Sequence, residues 1–134
     1  MKNTKISRGL ALNWTYLAAF FDFKGVVGFY VTNKEYRYSY GTIPKGRKLR
    51  MIIMTHKTRQ VLEDIRHFLK PEGIESKIDE RKNIVNGRVF PYYRLEVRGR
   101  ASKIKFLEKI KDKVIIKKSK VLDALKDLQS AKIK

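Results

Sequence analysis

The sequence predicts an α+β domain in which a four-stranded antiparallel sheet carries helices on one face and leaves the other face open. The hydrophobic period changes in a regular order along the chain: helix, hairpin, helix, hairpin, helix, helix. No linker rich in Pro, Gly or Ser interrupts that order, and a length of 134 residues suits one domain over 1–134. Strands joined as hairpins pair antiparallel, and such a sheet can bury one face and solvate the other.

Asn13 is the expected N-cap of a first helix over residues 13–24, because its side-chain oxygen can take a free backbone N–H. Trp14, Leu17, Ala18 and Phe21 form one face, and Tyr16, Ala19, Phe20 and Phe23 cover most of the rest. A helix apolar nearly all round is expected to be buried all round. Gly25 is expected to stop it. "VVGFYVTNK" is β-branched and aromatic, hence a strand. "EYRYSYGTIPKGRK", with Gly41, Pro44 and Gly46, contains a turn or long hairpin loop. "LRMIIMT" is a second strand, apolar on both faces, so its parity stays open. From Lys57 to Lys70, Val61, Leu62, Ile65, Phe68 and Leu69 repeat at helical spacing until "PEG". "SKIDERK" and "YYRLEVRG" are two further strands joined across "NIVNGRVFP", with Leu95 and Val97 on one side and Arg94, Glu96 and Arg98 on the other. "SKIKFLEKIKDK" is a third helix on Ile104, Leu107 and Ile110. "VIIKK" leads to a basic last helix over residues 118–131, striped by Val121, Leu122, Leu125 and Leu128, after which Lys132 to Lys134 are expected to fray.

Charge narrows the partners. Lys plus Arg number 32 against 13 Asp plus Glu, a net +19 with a sequence pI near 10.2. Such an excess favours polyanions, nucleic acid first, because phosphate contacts release counterions and steer association. A basic surface of thermophile type would raise Glu along with Lys, and Glu does not rise here. The absence of cysteine excludes disulfides, thiolate zinc sites and cysteine nucleophiles, and suits a reducing cytoplasm or an organellar matrix. No apolar run reaches the ~18 residues of a membrane span, and the apolar part of "MKNTKISRGLALNW" is too short for a secretory signal.

"LAAFFDFKG", Leu17 to Gly25, resembles the LAGLIDADG motif of homing endonucleases, which many members write LAGFFDGDG or LAGFFDAEG. The αββαββα order is that family's core, so the resemblance covers nearly the whole chain. "MTHKTR" resembles the family's strand-to-helix corner, often VTQKT, and "VIIKKSK" resembles its late basic corner. One motif copy implies a homodimer rather than a two-repeat monomer. Leu17, Ala18, Phe21 and Asp22 are the interface residues this implies, with small Ala18 and Ala19 letting two backbones approach. An ordinary buried helix within one subunit would use the same residues.

The resemblance also implies an activity. Family members cut both strands of a long DNA site with Mg2+, and the acid before the motif's final glycine, one per subunit, holds the metals. Here that position is Lys24, and an ammonium cannot ligate a cation. Asp22 matches the motif's first aspartate and lies about 200° round the helix from Lys24, which suits capping or packing. His56 stands at the corner where the family commonly orders catalytic water, and it could serve there, act as a base or simply face solvent. Lys117, with Lys118 beside it, matches the family's basic residue near the scissile phosphate; a solvated loop lysine is the alternative.

For the DNA face, alternation from Lys24 presents Val26, Gly28, Tyr30, Thr32 and Lys34, while Val27, Phe29 and Val31 turn inward. Tyr36, Arg37, Tyr38, Lys45, Arg47 and Lys48 join them from the following hairpin, either for DNA or as an aromatic cluster for protein contact. Lys77, Asp79 and Arg81 share one strand face, as do Arg94, Glu96 and Arg98. Arginine could read guanine and an acid could accept from cytosine N4, although cross-strand ion pairs would explain the same residues. The expectation is a homodimer that binds a long pseudo-palindromic double-stranded DNA, with Mg2+-dependent cleavage lost or impaired. An active homing endonuclease using another acid, such as Asp22, and a maturase-like RNA-binding or regulatory relative are the alternatives.

Overall fold

Asn13 starts the first helix as its side chain predicts: its Oδ1 accepts the Tyr16 N–H at 2.8 Å. In this computed structural model, which describes residues 5–6, 10–39 and 41–130 (side chains of 5, 6, 10, 11, 30 and 38 apart), that helix is α1, Trp14–Lys24. A short ribbon, β1 (Lys5–Ile6) with β2 (Leu10–Ala11), precedes it. There follow β3 (Gly25–Val31), β4 (Tyr36–Tyr38), β5 (Gly41–Ile43), β6 (Lys48–His56) and α2 (Arg59–Leu69). A single 3-10 turn leads to β7 (Ser76–Val85), β8 (Arg88–Val97), α3 (Arg100–Ile110) and α4 (Lys118–Ser130). No helix among the described residues is long and apolar enough to cross a membrane.

The main sheet has four strands in the order β3-β6-β8-β7, every neighbouring pair antiparallel, which is the expected α+β architecture. Its register settles the parity that β6 left open. Ile52 opposes Val27, Met54 opposes Gly25, and Leu95 opposes Ile78, and these residues turn toward the helices. There they meet Leu17 and Phe21 of α1, Leu62 and Ile65 of α2, Phe106 and Leu107 of α3, and Val121 and Leu125 of α4 in one core. Val26, Gly28, Met51, Ile53 and Thr55 occupy the opposite parity, on the open face.

Several local expectations change. The nine residues "NIVNGRVFP" are not a loop: β7 and β8 each run ten residues and join through Asn86 and Gly87 alone, both at positive φ. Asn-Gly supplies the left-handed pair that a two-residue hairpin turn requires. On α4 the buried stripe takes Ala124, while Leu122 is exposed. Lys132 to Lys134 lie outside the described residues.

Gly25 ends α1, but not through a left-handed conformation. Its backbone is extended (φ −94°, ψ 160°), and its N–H closes the helix on the Phe21 carbonyl. The constraint is space: a Cβ there would stand 2.3 Å from the Phe21 ring. We expect Gly25→Ala to destabilise the fold by about 1–3 kcal/mol, the usual cost of overpacking, read as a lower urea midpoint with an unchanged m-value.

Candidate nucleic-acid interface

The C-terminal end of α1 brings together Asp22, Lys24, His56 and Lys117. Asp22 is only 5% exposed. Its Oδ2 accepts the Ile115 N–H at 2.7 Å and its Oδ1 accepts the Lys117 N–H at 3.0 Å, so the carboxylate caps the entry to α4. Lys117 returns the bond, its Nζ donating to the Asp22 carbonyl. That ammonium answers one of the helix-end carbonyls that otherwise lack an intrahelical partner. Lys117 is therefore committed to α1 and is not a freely solvated loop lysine.

Lys24 itself is exposed, with no hydrogen-bond or ion-pair partner among the described residues. His56 lies at the end of β6 on the helix-facing parity, opposite Tyr93. Its ring stacks on Phe20 with centroids 6.0 Å apart, and its Nδ1 accepts the Thr58 N–H at 2.9 Å. That bond fixes the neutral tautomer with its proton on Nε2. Burial, and then the positive charge of Lys24, hold the imidazole below its ordinary pKa.

The faces of α1 correct the expected dimer interface. Leu17, Ala18, Phe21 and Asp22 are buried in the chain's own core, because this side packs on the sheet and on α3 and meets the segment that leads into α4. They are closed to a partner. The helix is not buried all round either: Tyr16, Ala19 and Phe23 are exposed and Phe20 is half-buried, and Phe23 reaches 75% exposure. Ile115, exposed at 83%, and Ile116 stand beside the same helix end. An alanine at mid-stripe, between aromatics at i−3 and i+4, lets another helix come close.

On the sheet's open face, the β3–β6 half is largely apolar and the β8–β7 half is ionic. One cross-strand row runs Thr55, Arg94, Asp79, and the next runs Ile53, Glu96, Lys77. Asp79 faces both Arg81 at 3.3 Å and Arg94 at 3.8 Å, and Arg94 also faces Glu96 at 3.9 Å. The acids thus already pair with arginines of the same face. Arg98 continues that parity just beyond β8 and is exposed. The same register adds residues that the sequence did not single out: Tyr92 opposite Arg81, and Phe90 opposite Asn83. Pro91 between them interrupts the visible polar alternation, which hides both.

The connection after β3 divides its expected DNA contacts. Thr32 is 2% exposed; its Oγ1 donates to the Pro44 carbonyl at 2.7 Å and accepts the Arg47 N–H at 2.9 Å. It clamps the base of the long loop and is closed to DNA. Lys48 falls on the other side of the sheet, its Nζ 4.7 Å from the Phe29 ring centroid. Lys34, Arg37, Lys45 and Arg47 are exposed; Arg37 pairs with Glu35 at 2.9 Å, and Lys34 stands 5.4 Å from the centroid of half-buried Tyr36. The side chains of Tyr30 and Tyr38 lie outside the described residues.

This donor set does not fit a divalent metal. A hard cation needs several free oxygen ligands. The motif position holds an ammonium, both Asp22 oxygens are taken by backbone N–H groups, and no group of three His, Asp or Glu able to hold a metal occurs among the described residues.

A family model, the LAGLIDADG-like domain, matches residues 39–111, more than half of the chain. The chain belongs to the LAGLIDADG family. The matched span runs from β5 through α3 and contains His56, while α1 with Lys24 lies before it. Among solved structures, the fold is similar to the homing endonuclease I-CvuI crystallised with its own target, Sro1.3, and 2 mM Ca (TM-score 0.59, 21% identity). It is similar also to I-CvuI with the I-CreI target and 2 mM Mg, whose DNA is not cleaved (TM-score 0.58, 18% identity). Each likeness covers 87% of this chain and 65% of the other, so this LAGLIDADG chain spans less than two thirds of I-CvuI. A search of curated proteins finds no match.

Two measurements check the α1 end. Asp22→Ala removes the acceptor of two backbone N–H groups, and a loss of about 2–3 kcal/mol in chemical denaturation is expected. His56 is expected to titrate by NMR below the ordinary imidazole value, and Lys24→Glu to raise that pKa. By the same sign, the stability contributed by neutral His56 is present above the unfolded-state pKa and lost as pH falls through the folded one.

Proposed function

We propose that this LAGLIDADG chain is a sequence-specific duplex-DNA-binding protein that acts as a homodimer and has lost most or all metal-dependent strand cleavage. The observation that carries the binding is the sheet itself. Helices back one face, and the other presents Lys77, Arg81 and Arg94 on paired strands, with the exposed loop cations beyond β3. A ribbon of strands fits the major groove, with base edges read by side chains of one parity and phosphates met by the flanking cations. The net charge of +19 supplies the sequence-independent part of the affinity. The I-CvuI structures, both complexes with a target, accord with that use of the fold.

The uncovered stripe of α1 supports the dimer. Tyr16, Ala19, Phe20 and Phe23, with exposed Ile115 and Ile116 beside the helix end, leave apolar surface in water, and a second copy would cover it. Loss of cleavage rests on the chemistry of position 24. Activity through Asp22 is disfavoured, because that carboxylate is buried and fully engaged.

Binding isotherms on duplex DNA and on structured RNA, taken across salt concentrations, test the proposal. The expected result is a duplex preference, a log K that falls linearly with log[salt], and a protein of two chains per duplex. Tighter binding of structured RNA would support the maturase-like alternative instead. Incubated with Mg2+ and a plasmid carrying the selected site, the protein is expected to leave both strands intact.

A further inference from the structure

The end of α1 has the wrong sign for a metal and the right sign for a phosphate. Helix C-termini carry partial negative charge, which attracts cations. Here the Lys117 ammonium bonds the Asp22 carbonyl, the Asp22 carboxylate is enclosed, and Lys24 adds an exposed ammonium. Lys57 stands close enough to His56 to act on it as Lys24 does. Several other basic groups of this protein are already occupied: Arg37, Arg50, Arg59, Arg81 and Arg94 each face a carboxylate. Lys24 faces none among the described residues, and its three donors remain available. Gly25 turns the chain directly from α1 into β3, so Lys24 stands two residues before Val26 on the open face.

We propose that Lys24 binds a phosphate of the DNA backbone directly, giving from the protein the positive charge that a divalent ion would otherwise bring, so that duplex binding is independent of divalent metal. The inference rests on the duplex-binding reading above. In a dimer joined through the Tyr16–Phe23 stripe, which ends one residue before Lys24, two such lysines approach each other. An anion between them relieves their repulsion, whereas a metal ion would add to it.

The test uses the full chain, a fluorescent duplex selected by the protein from a random pool, and anisotropy titrations in EDTA and in millimolar Mg2+. The unaltered protein is expected to bind equally well in EDTA, or better. Lys24→Gln is expected to weaken binding about tenfold, the worth of a charge-assisted hydrogen bond. The slope of log K against log[salt] should fall by about one per lysine removed. Lys24→Arg should retain both values, and Lys126→Gln, an exposed change on α4, should leave the slope unaltered. Thermal melts of each variant check the fold. Binding that requires Mg2+, or a Lys24→Gln slope equal to that of Lys126→Gln, overturns the inference and leaves duplex binding standing. Failure of the unaltered protein to bind duplex at low salt overturns both.

Discussion

The carboxylate of Asp22 holds the end of α1 to the beginning of α4 through two backbone N–H groups, and Lys117 closes the tie from the other side. The rest of the molecule is arranged around that junction. α1 packs its Leu17, Ala18 and Phe21 side inward, so the direction in which it ends decides where β3 begins. β3 in turn pairs with β6 along its full length, and β6 carries the register to β8. Buried charges survive only when their lone pairs are used, and Asp22 meets that condition with groups that would otherwise be open at a helix start.

The same junction separates two roles that a motif of this kind can combine. A carboxylate at position 24 would sit against the helix dipole, unfavourable by about 0.3–1 kcal/mol, and would be tolerated for the metal it held. Lysine removes that conflict. The end of the helix then matches its own dipole and carries an exposed positive charge, which adds to the burial that holds His56 below its ordinary pKa. The architecture is compatible with this exchange, which takes a carboxylate ligand away from the end of α1 and puts an ammonium in its place.

Much of this is legible in the sequence because local chemistry decides it. Asn13 as cap, Gly25 as stop, the alternation of Leu95 and Val97 against Arg94 and Glu96, and the order of helices and hairpins all follow from a few neighbouring residues. What is not legible depends on partners far along the chain. The apolar character of α1 cannot tell which side meets the sheet, so sequence alone assigns Leu17, Ala18, Phe21 and Asp22 to an interface that the chain fills itself. Thr32 fits the strand alternation, yet its hydroxyl is claimed by Pro44 and Arg47 across the long loop. Phe90 and Tyr92 are obscured by Pro91, which β8 accommodates where pairing with β6 has ended.

On the reading proposed above, the fold retains its DNA surface while position 24 denies it a metal. Side-by-side incubation of the unaltered protein and the Lys24→Asp variant with the selected duplex and Mg2+ tests it most directly. Both are expected to bind, only the variant is expected to cut, and its cutting is expected to stop in EDTA. Efficient double-strand cleavage by the unaltered chain would contradict it.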